Sequence, residues 1–211
     1  MILYSENNSP YCAIVRLAIY AKDLAIRIES PPGGLHSDAF QRISPTGTIP
    51  CLVLDDGSPL PESAVILAYL EDKYPDRRLG PAAAEDRARD LLIARLADAR
   101  LLAPLVQMFH DLNDGVATAR EFAVAQIEEG LALLEPLLPD ALVASDSVWQ
   151  ADCVLAPVLF GIQGLLGAHL LAPHGKLAAY AQNAATKPAV GRVLGELAQA
   201  MAAQQGASQP A

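Results

Sequence analysis

Positive charge is in short supply in this sequence: 15 Lys and Arg stand against 24 Asp and Glu, a formal net charge of −9 at pH 7. No basic run and no stripe of interleaved aromatics offsets that balance, so a phosphate backbone is repelled rather than gripped. Nucleic acid is therefore not an expected partner. Cysteine is scarce too. Cys12, Cys51 and Cys153 are too few and too scattered for a disulfide framework, and their odd number fits a reducing, cytoplasmic setting. Long apolar runs are also missing. The most membrane-like stretch, Cys153 to Ala168, has no charge, but it is shorter than the roughly 20 residues a span requires and contains Pro157, Gly161, Gly164 and Gly167. It reads as a buried helix, and no membrane association is expected. Met1-Ile2-Leu3-Tyr4 lacks the basic region of a secretory signal. His36, His110, His169 and His174 have no metal-ligand spacing, and GIQGLLG at Gly161 to Gly167 lacks both the nucleotide fingerprint and a preceding strand. Neither a metal nor a nucleotide is expected.

What is present is ample core material, 52% hydrophobic residues with 18% charged over 211 positions, enough for one large domain or two small ones. The first eighty residues mix strand and helix signals. Ile2-Leu3-Tyr4 is a short strand, Tyr11 to Lys22 is apolar on nearly every side except Arg16, and Ala25 to Glu29 alternates as a second strand. A loop with a short helix near Ser37 to Arg42 follows. Then come a buried strand at Cys51 to Leu54, a turn at Asp55-Asp56-Gly57, a strand near Ser58 to Leu60 and a helix from Ser63 to Tyr74.

PDRRLGPAAA, Pro75 to Ala84, has no periodic pattern and marks the linker. Everything after it reads as helix. Pro104 is expected to kink the segment Glu85 to Asp111, and Thr118 with Glu121 reads as a capping box opening the next helix. Further helices are expected over 151–168, near Lys176 to Asn183 and from Ala189 to Ala203, with QQGASQPA as a loose tail. The boundaries adopted are a domain over 1–76, a linker over 77–84 and a helical domain over 85–211.

Three short motifs carry chemistry. In NNSPYC, Ser9 and Pro10 form a strong helix start, with serine at the cap and proline where its missing amide proton is not needed. That geometry serves a structural cap, and it equally serves a sulfur anion, which unpaired amides and the helix dipole favour. Serine cannot be the thiolate, but it can donate a hydrogen bond to one that a ligand brings. In SPTGTIP, before the third strand, the Ile49-Pro50 bond can be cis at little cost. The Ile49 backbone is then free to pair with a peptide-like ligand; an ordinary strand-edge proline is the alternative. In PLPESA, Glu62 and Ser63 open a helix either as a surface charge and an N-cap, or as receivers of an ammonium and a carboxylate. The second option suits an amino-acid head group.

Taken in order, SPYC, SPTGTIPCLVL and ESAVILAYLEDKYP make the chain resemble the cytosolic glutathione transferase family, of the serine type known in bacteria, over nearly its whole length. The resemblance implies a thioredoxin-like α/β N-terminal domain followed by an all-α C-terminal domain. It also implies conjugation of the glutathione thiolate to small hydrophobic electrophiles, a detoxification chemistry, by a homodimer. Ser9 falls where serine-type members hydrogen-bond the glutathione sulfur, Ile49 and Pro50 where the family binds the cysteinyl backbone, and Glu62 and Ser63 where it binds the γ-glutamyl group. His36, in the variable loop, is the candidate for the glycyl carboxylate. The box also resembles the CPYC of glutaredoxins with Ser9 in place of the first cysteine and Cys12 kept, which leaves a glutathione-dependent disulfide reductase or isomerase as an alternative. A non-catalytic binding or scaffold module is another. Tyr4 and Tyr11 flank Ser9 and compete for its role, and Met108, Phe109 and His110 are candidates for the electrophile's pocket. One departure stands out: a Ser/Thr-x-x-Asp cap usual in the family's second domain reads WQAD here, with Trp149 at the hydroxyl position and Asp152 retained.

Overall fold

Ile2–Tyr4, three residues long, is stable as a strand because it is paired on both sides. This strand, β1, lies parallel to β2 (Arg27–Glu29) and antiparallel to β3 (Cys51–Val53), and β3 lies antiparallel to β4 (Pro59–Pro61), giving the order β2-β1-β3-β4. Leu3 and Leu52 face each other across the central pair with no exposed surface. The computed structural model describes residues 1–207. The chain divides into two compact units, one holding Met1–Leu79 and residues 195–207, the other Gly80–Leu194.

In the first unit, α1 (Pro10–Ala21) buries every residue from Cys12 to Ile19, and it packs on α3 (Ser63–Lys73). The short α2 (Asp38–Gln41) interrupts the loop between β2 and β3. Past the end of α1, Lys22 pairs with Glu71 at 2.6 Å, both side chains buried, and Lys22 Nζ also donates to the Arg77 carbonyl at 2.8 Å. Glu71 in turn accepts the Leu79 amide. This pair satisfies its remaining polar groups locally, which is the condition for a buried ion pair to be tolerated.

The second unit is helical, as the sequence suggests: α4 (Ala84–Ala97), α5 (Ala103–Asn113), α6 (Ala119–Leu134), α7 (Asp140–Ala144), α8 (Gln150–Leu165), α9 (Gly175–Asn183) and the start of α10 (Pro188–Ala207). The kink expected at Pro104 takes the form of a π-helical turn over Asp98–Leu102, just ahead of the missing amide donor. Gly130 of α6 lies against that turn. A Cβ there would meet the Arg100 carbonyl at 2.7 Å. The capping box expected at Thr118 does not form, because Thr118 has φ −91° and ψ 2°, outside the extended conformation a cap needs, and its side chain makes no cap bond. The five-residue α7 is too short to have left a periodic signal. The expected tail QQGASQPA is helical in its backbone through Ala207, and Ser208 to Ala211 lie outside the described residues. Residues from Gly195 group with the first unit, whereas the sequence assigned all of 85–211 to one helical domain; the physical reason is Glu196, which bonds Arg16 and Tyr20 of α1.

The WQAD departure is resolved by a partner far away in sequence. Asp152 accepts the Trp149 amide at 2.7 Å, which is half of a capping box, and the missing half comes from Asp90 of α4. Its carboxylate accepts the Gln150 amide at 3.1 Å and the Ala151 amide at 2.8 Å. Gly80, at φ +82°, makes room: a Cβ there would lie 2.6 Å from Asp90 Oδ2. Asp152 also receives Lys187 Nζ at 2.9 Å and the Tyr180 hydroxyl at 2.6 Å, all three residues buried. Burial, with the Asp152 charge beside it, pushes the Tyr180 phenol well above its ordinary range. Replacing Asp90 with alanine strands two buried amides and is expected to cost about 3 kcal/mol in urea unfolding, with helix content retained.

Candidate functional site

The register of the sheet brings four chain segments to one end. Tyr4, last in β1, pairs with Cys51, first in β3; Cys51 pairs with Pro61, last in β4; and Tyr4 is level with Glu29, last in β2. From this row the chain leaves toward Ser9, toward the loop with His36 and toward Glu62-Ser63, and it arrives through Ile49-Pro50. Strands lie about 4.8 Å apart, so the row spans roughly 14 Å.

Ser9 caps α1 in extended geometry, φ −86° and ψ 120°, with Pro10 in the first helical position. Its Oγ accepts the Cys12 amide at 3.3 Å and is also a hydrogen-bond partner of the Cys12 thiol, and the same hydroxyl can donate to the sulfur of a ligand instead. The competing side chains are placed otherwise. The ring of Tyr4 meets Phe40 edge-on at 5.7 Å, and Tyr11 is half-buried. Cys12 is fully buried, and burial raises its thiol against the opposing hydrogen bonds of Ser9 and Ser5 and the charge of Arg16. A neutral, enclosed thiol is a poor nucleophile.

The Ile49-Pro50 peptide bond is cis, and strand pairing begins one residue later, at Cys51, so Ile49 lies outside the ladder. Glu62 adopts φ +72° and ψ 114°, a region costing a non-glycine residue about 1–3 kcal/mol and found chiefly at ligand clamps and switches. It takes the N-cap position that the structural reading of the sequence gave to Ser63; Ser63 is instead the first residue of α3. Among the described residues no side chain caps α3, so its first-turn amides remain open to an anion beside the exposed Glu62 carboxylate. His36 is exposed in the turn before α2, whose own N-terminus is already capped by Ser37. In the helical unit Met108 is buried, while Phe109 and His110 are exposed.

One residue escaped the sequence reading. Arg16 has no exposed surface, and its guanidinium donates to Ser5 Oγ at 2.9 Å and to the carbonyls of Glu6 at 2.8 Å and Asn7 at 3.3 Å. The available signal was a lone arginine in a helix otherwise apolar all round. Among the described residues no group of three His, Cys, Asp or Glu is placed to hold a metal ion, and no helix is long and apolar enough to cross a membrane.

A four-stranded mixed sheet with helices, followed by an all-helical unit, defines a thioredoxin-like domain joined to a helical one. Residues 3–78 match the family model for the glutathione S-transferase N-terminal domain. Glutathione S-transferase Z2 of Arabidopsis thaliana is 30% identical over 168 residues, 74% of this chain and 73% of that protein. A stringent starvation protein A homolog of Histophilus somni is 27% identical over 166 residues, 78% of this chain and 76% of that protein. A crystal structure of maleylacetoacetate isomerase from Anaeromyxobacter dehalogenans 2CP-1, with bound GSH in the active site, superposes with a TM-score of 0.71 at 25% identity, covering 91% of this chain and 93% of that one. The chain belongs to the glutathione S-transferase family.

Burial raises the thiols of both Cys12 and Cys51 above their ordinary range, so the folded state holds their protons more tightly than the unfolded state does. Their contribution to stability is complete below the ordinary thiol value of about 8.5 and is lost as pH rises through the raised values. Urea midpoints taken from about pH 8 to pH 10 should therefore fall more steeply for the wild type than for a Cys12→Ala/Cys51→Ala variant. Equal slopes would remove the buried thiols from that dependence.

Proposed function

We propose that the protein is a glutathione transferase in which the Ser9 hydroxyl stabilises the thiolate of bound glutathione for attack on a small apolar electrophile. The observation that carries this reading is the placement of Ser9: its Oγ is fixed by the Cys12 amide at the dipole end of α1, where its hydroxyl can donate to the sulfur of a ligand. A thiol of ordinary pKa, about 8.5, is only a few per cent ionised at neutral pH. Lowering it by roughly two units takes about 2.7 kcal/mol of preferential anion stabilisation, within reach of one charge-assisted hydrogen bond plus a helix terminus.

The remaining candidates fit a tripeptide laid along the same sheet end. Three extended residues reach about 10 Å, inside the roughly 14 Å row. In this reading Ile49, held ahead of the ladder by Pro50, pairs with the cysteinyl backbone. The uncapped first turn of α3 with Ser63 receives the γ-glutamyl carboxylate, and Glu62 receives its ammonium. His36 serves the glycyl carboxylate. For the electrophile, the helical unit offers exposed Phe109, Leu112, Val116 and Phe122, while Met108 is withdrawn into the core. Three buried free cysteines suit a cytosolic setting.

A second reading is a glutathione-dependent isomerase, supported by the likeness to maleylacetoacetate isomerase. There the thiolate adds to a conjugated alkene, the new single bond turns, and elimination returns the thiolate, so glutathione is not consumed. The disulfide reductase reading loses support, because Cys12 is enclosed and its thiol is raised.

Steady-state turnover of an activated aryl halide separates these readings. Ser9→Ala is expected to lower kcat/KM by about 10- to 100-fold and to shift the rate profile to higher pH, with a stability loss of about 1 kcal/mol from the lost cap. Full activity with an unchanged profile would overturn the role of Ser9. Turnover of maleylacetoacetate without glutathione loss favours the isomerase, and glutathione binding without any turnover favours a scaffold. We also propose a homodimer, supported by the adjacent exposed Leu91 and Leu92 on α4. A sizing column should return twice the 22.3 kDa chain mass, and elution at the chain mass itself would refute the dimer.

A further inference from the structure

We propose that Arg16 is a positioning residue: it locks the connection between β1 and α1 in the shape that aims the Ser9 hydroxyl at a bound thiol, with Glu196 and Tyr20 fixing Arg16 in turn. The inference rests on the reading of Ser9 given above.

Arg16 lies seven residues beyond Ser9, about 10 Å along the helix, and helical side chains lean toward the N-terminus, so a long one reaches back over the preceding loop. Its guanidinium bonds three successive residues of that loop, Ser5 through Oγ and Glu6 and Asn7 through their carbonyls. The Glu6 carbonyl is shared: it receives Arg16 Nη1 at 2.8 Å and the backbone amide of Ser9 itself at 3.2 Å. A single acceptor thus stands between the guanidinium and the proposed activating residue. From the other side, Arg16 Nε donates to Glu196 Oε2 at 2.9 Å, and the Tyr20 hydroxyl donates to Glu196 Oε1 at 2.9 Å. The carboxylate is thereby held by both of its oxygens, and the planar fork of Arg16 has one orientation that satisfies all its acceptors. Replacing an arginine held this way by lysine keeps the charge and loses the fork.

A charge acting at a distance and a geometric clamp give opposite signs when Glu196 is removed. Among the described residues the ionisable groups facing Arg16 include Glu196, Tyr20 and Cys12, and burial holds the Cys12 thiol toward its neutral form. If Arg16 worked through its charge alone, deleting the Glu196 carboxylate would leave that charge less compensated and make a nearby thiolate easier to form. If Arg16 positions the loop, the same deletion frees the guanidinium, loosens the Glu6 carbonyl and makes the thiolate harder to form.

The test is the ultraviolet thiolate absorbance of protein-bound glutathione followed against pH, with steady-state kinetics alongside. Glu196→Ala and Arg16→Lys are each expected to raise the apparent pKa of the bound thiol by about one unit, a tenfold loss of thiolate at neutral pH. The same variants should lower kcat by about tenfold while changing KM for glutathione less than about threefold, a split that a general loss of stability would not produce. Should Glu196→Ala not fold, Tyr20→Phe, which keeps the ion pair and removes one hydroxyl, should give a smaller rise in the same direction. An unmoved or lowered pKa in folded Glu196→Ala, or in Tyr20→Phe where it stands in, overturns the clamp while leaving Ser9 in place. Wild-type protein that binds glutathione without forming thiolate overturns the Ser9 reading and the clamp together.

Discussion

The row formed by Glu29, Tyr4, Cys51 and Pro61 is the constraint on which the candidate site depends. Each strand is three residues long, so its register rests on few bonds. A slip of one residue would turn Leu3 and Leu52 away from the core, and that apolar penalty pins the pairing. With the pairing fixed, the positions of Ser9, Pro50 and Glu62 follow from how few residues separate each from its strand end. Pro50 and Glu62 adjoin the row directly, and Ser9 is five residues from it.

Charge is used sparingly inside both units, and always at a chain connection. Lys22 and Glu71 hold the ends of α1 and α3 to the segment near Arg77 and Leu79. Asp90, Asp152 and Lys187 organise the start of α8. Arg16 and Glu196 hold the loop ahead of Ser9. In each case the buried charges also accept or donate hydrogen bonds to backbone, so no lone charge is left in an apolar setting. An apolar replacement could match such pairs in stability but could not fix the direction of a loop carbonyl or a helix amide. That directional role explains why charged residues occupy these interiors at all.

Much of the architecture was legible in the sequence because it rests on local signals. Ser9-Pro10 reads as a cap and is one, Ile2-Leu3-Tyr4 reads as a short strand and is one, the alternation over Ala25 to Glu29 reads as a strand and is one from Arg27, and the apolar run of α8 reads as a buried helix and is one. What stayed hidden was non-local. No spacing rule announces that Asp90 caps a helix sixty residues later, or that the carboxylate of Glu196 sits on Arg16. Thr118 and Glu121 show the reverse failure: the local motif is complete, but the backbone enters α6 from a conformation in which the hydroxyl cannot reach its amide. For the site, the motifs named the residues, and only the strand register could say that they emerge from one end of the sheet.

The Ser9 hydroxyl is proposed as the protein group that meets the sulfur of glutathione. A crystal structure of the protein with glutathione tests this most directly. The sulfur is expected within about 3.3 Å of Ser9 Oγ, with the peptide lying along Ile49-Pro50 and its γ-glutamyl end at Ser63. A sulfur bonded instead to Tyr4 or Tyr11, or a glutathione seated away from the β1–α1 connection, would contradict it.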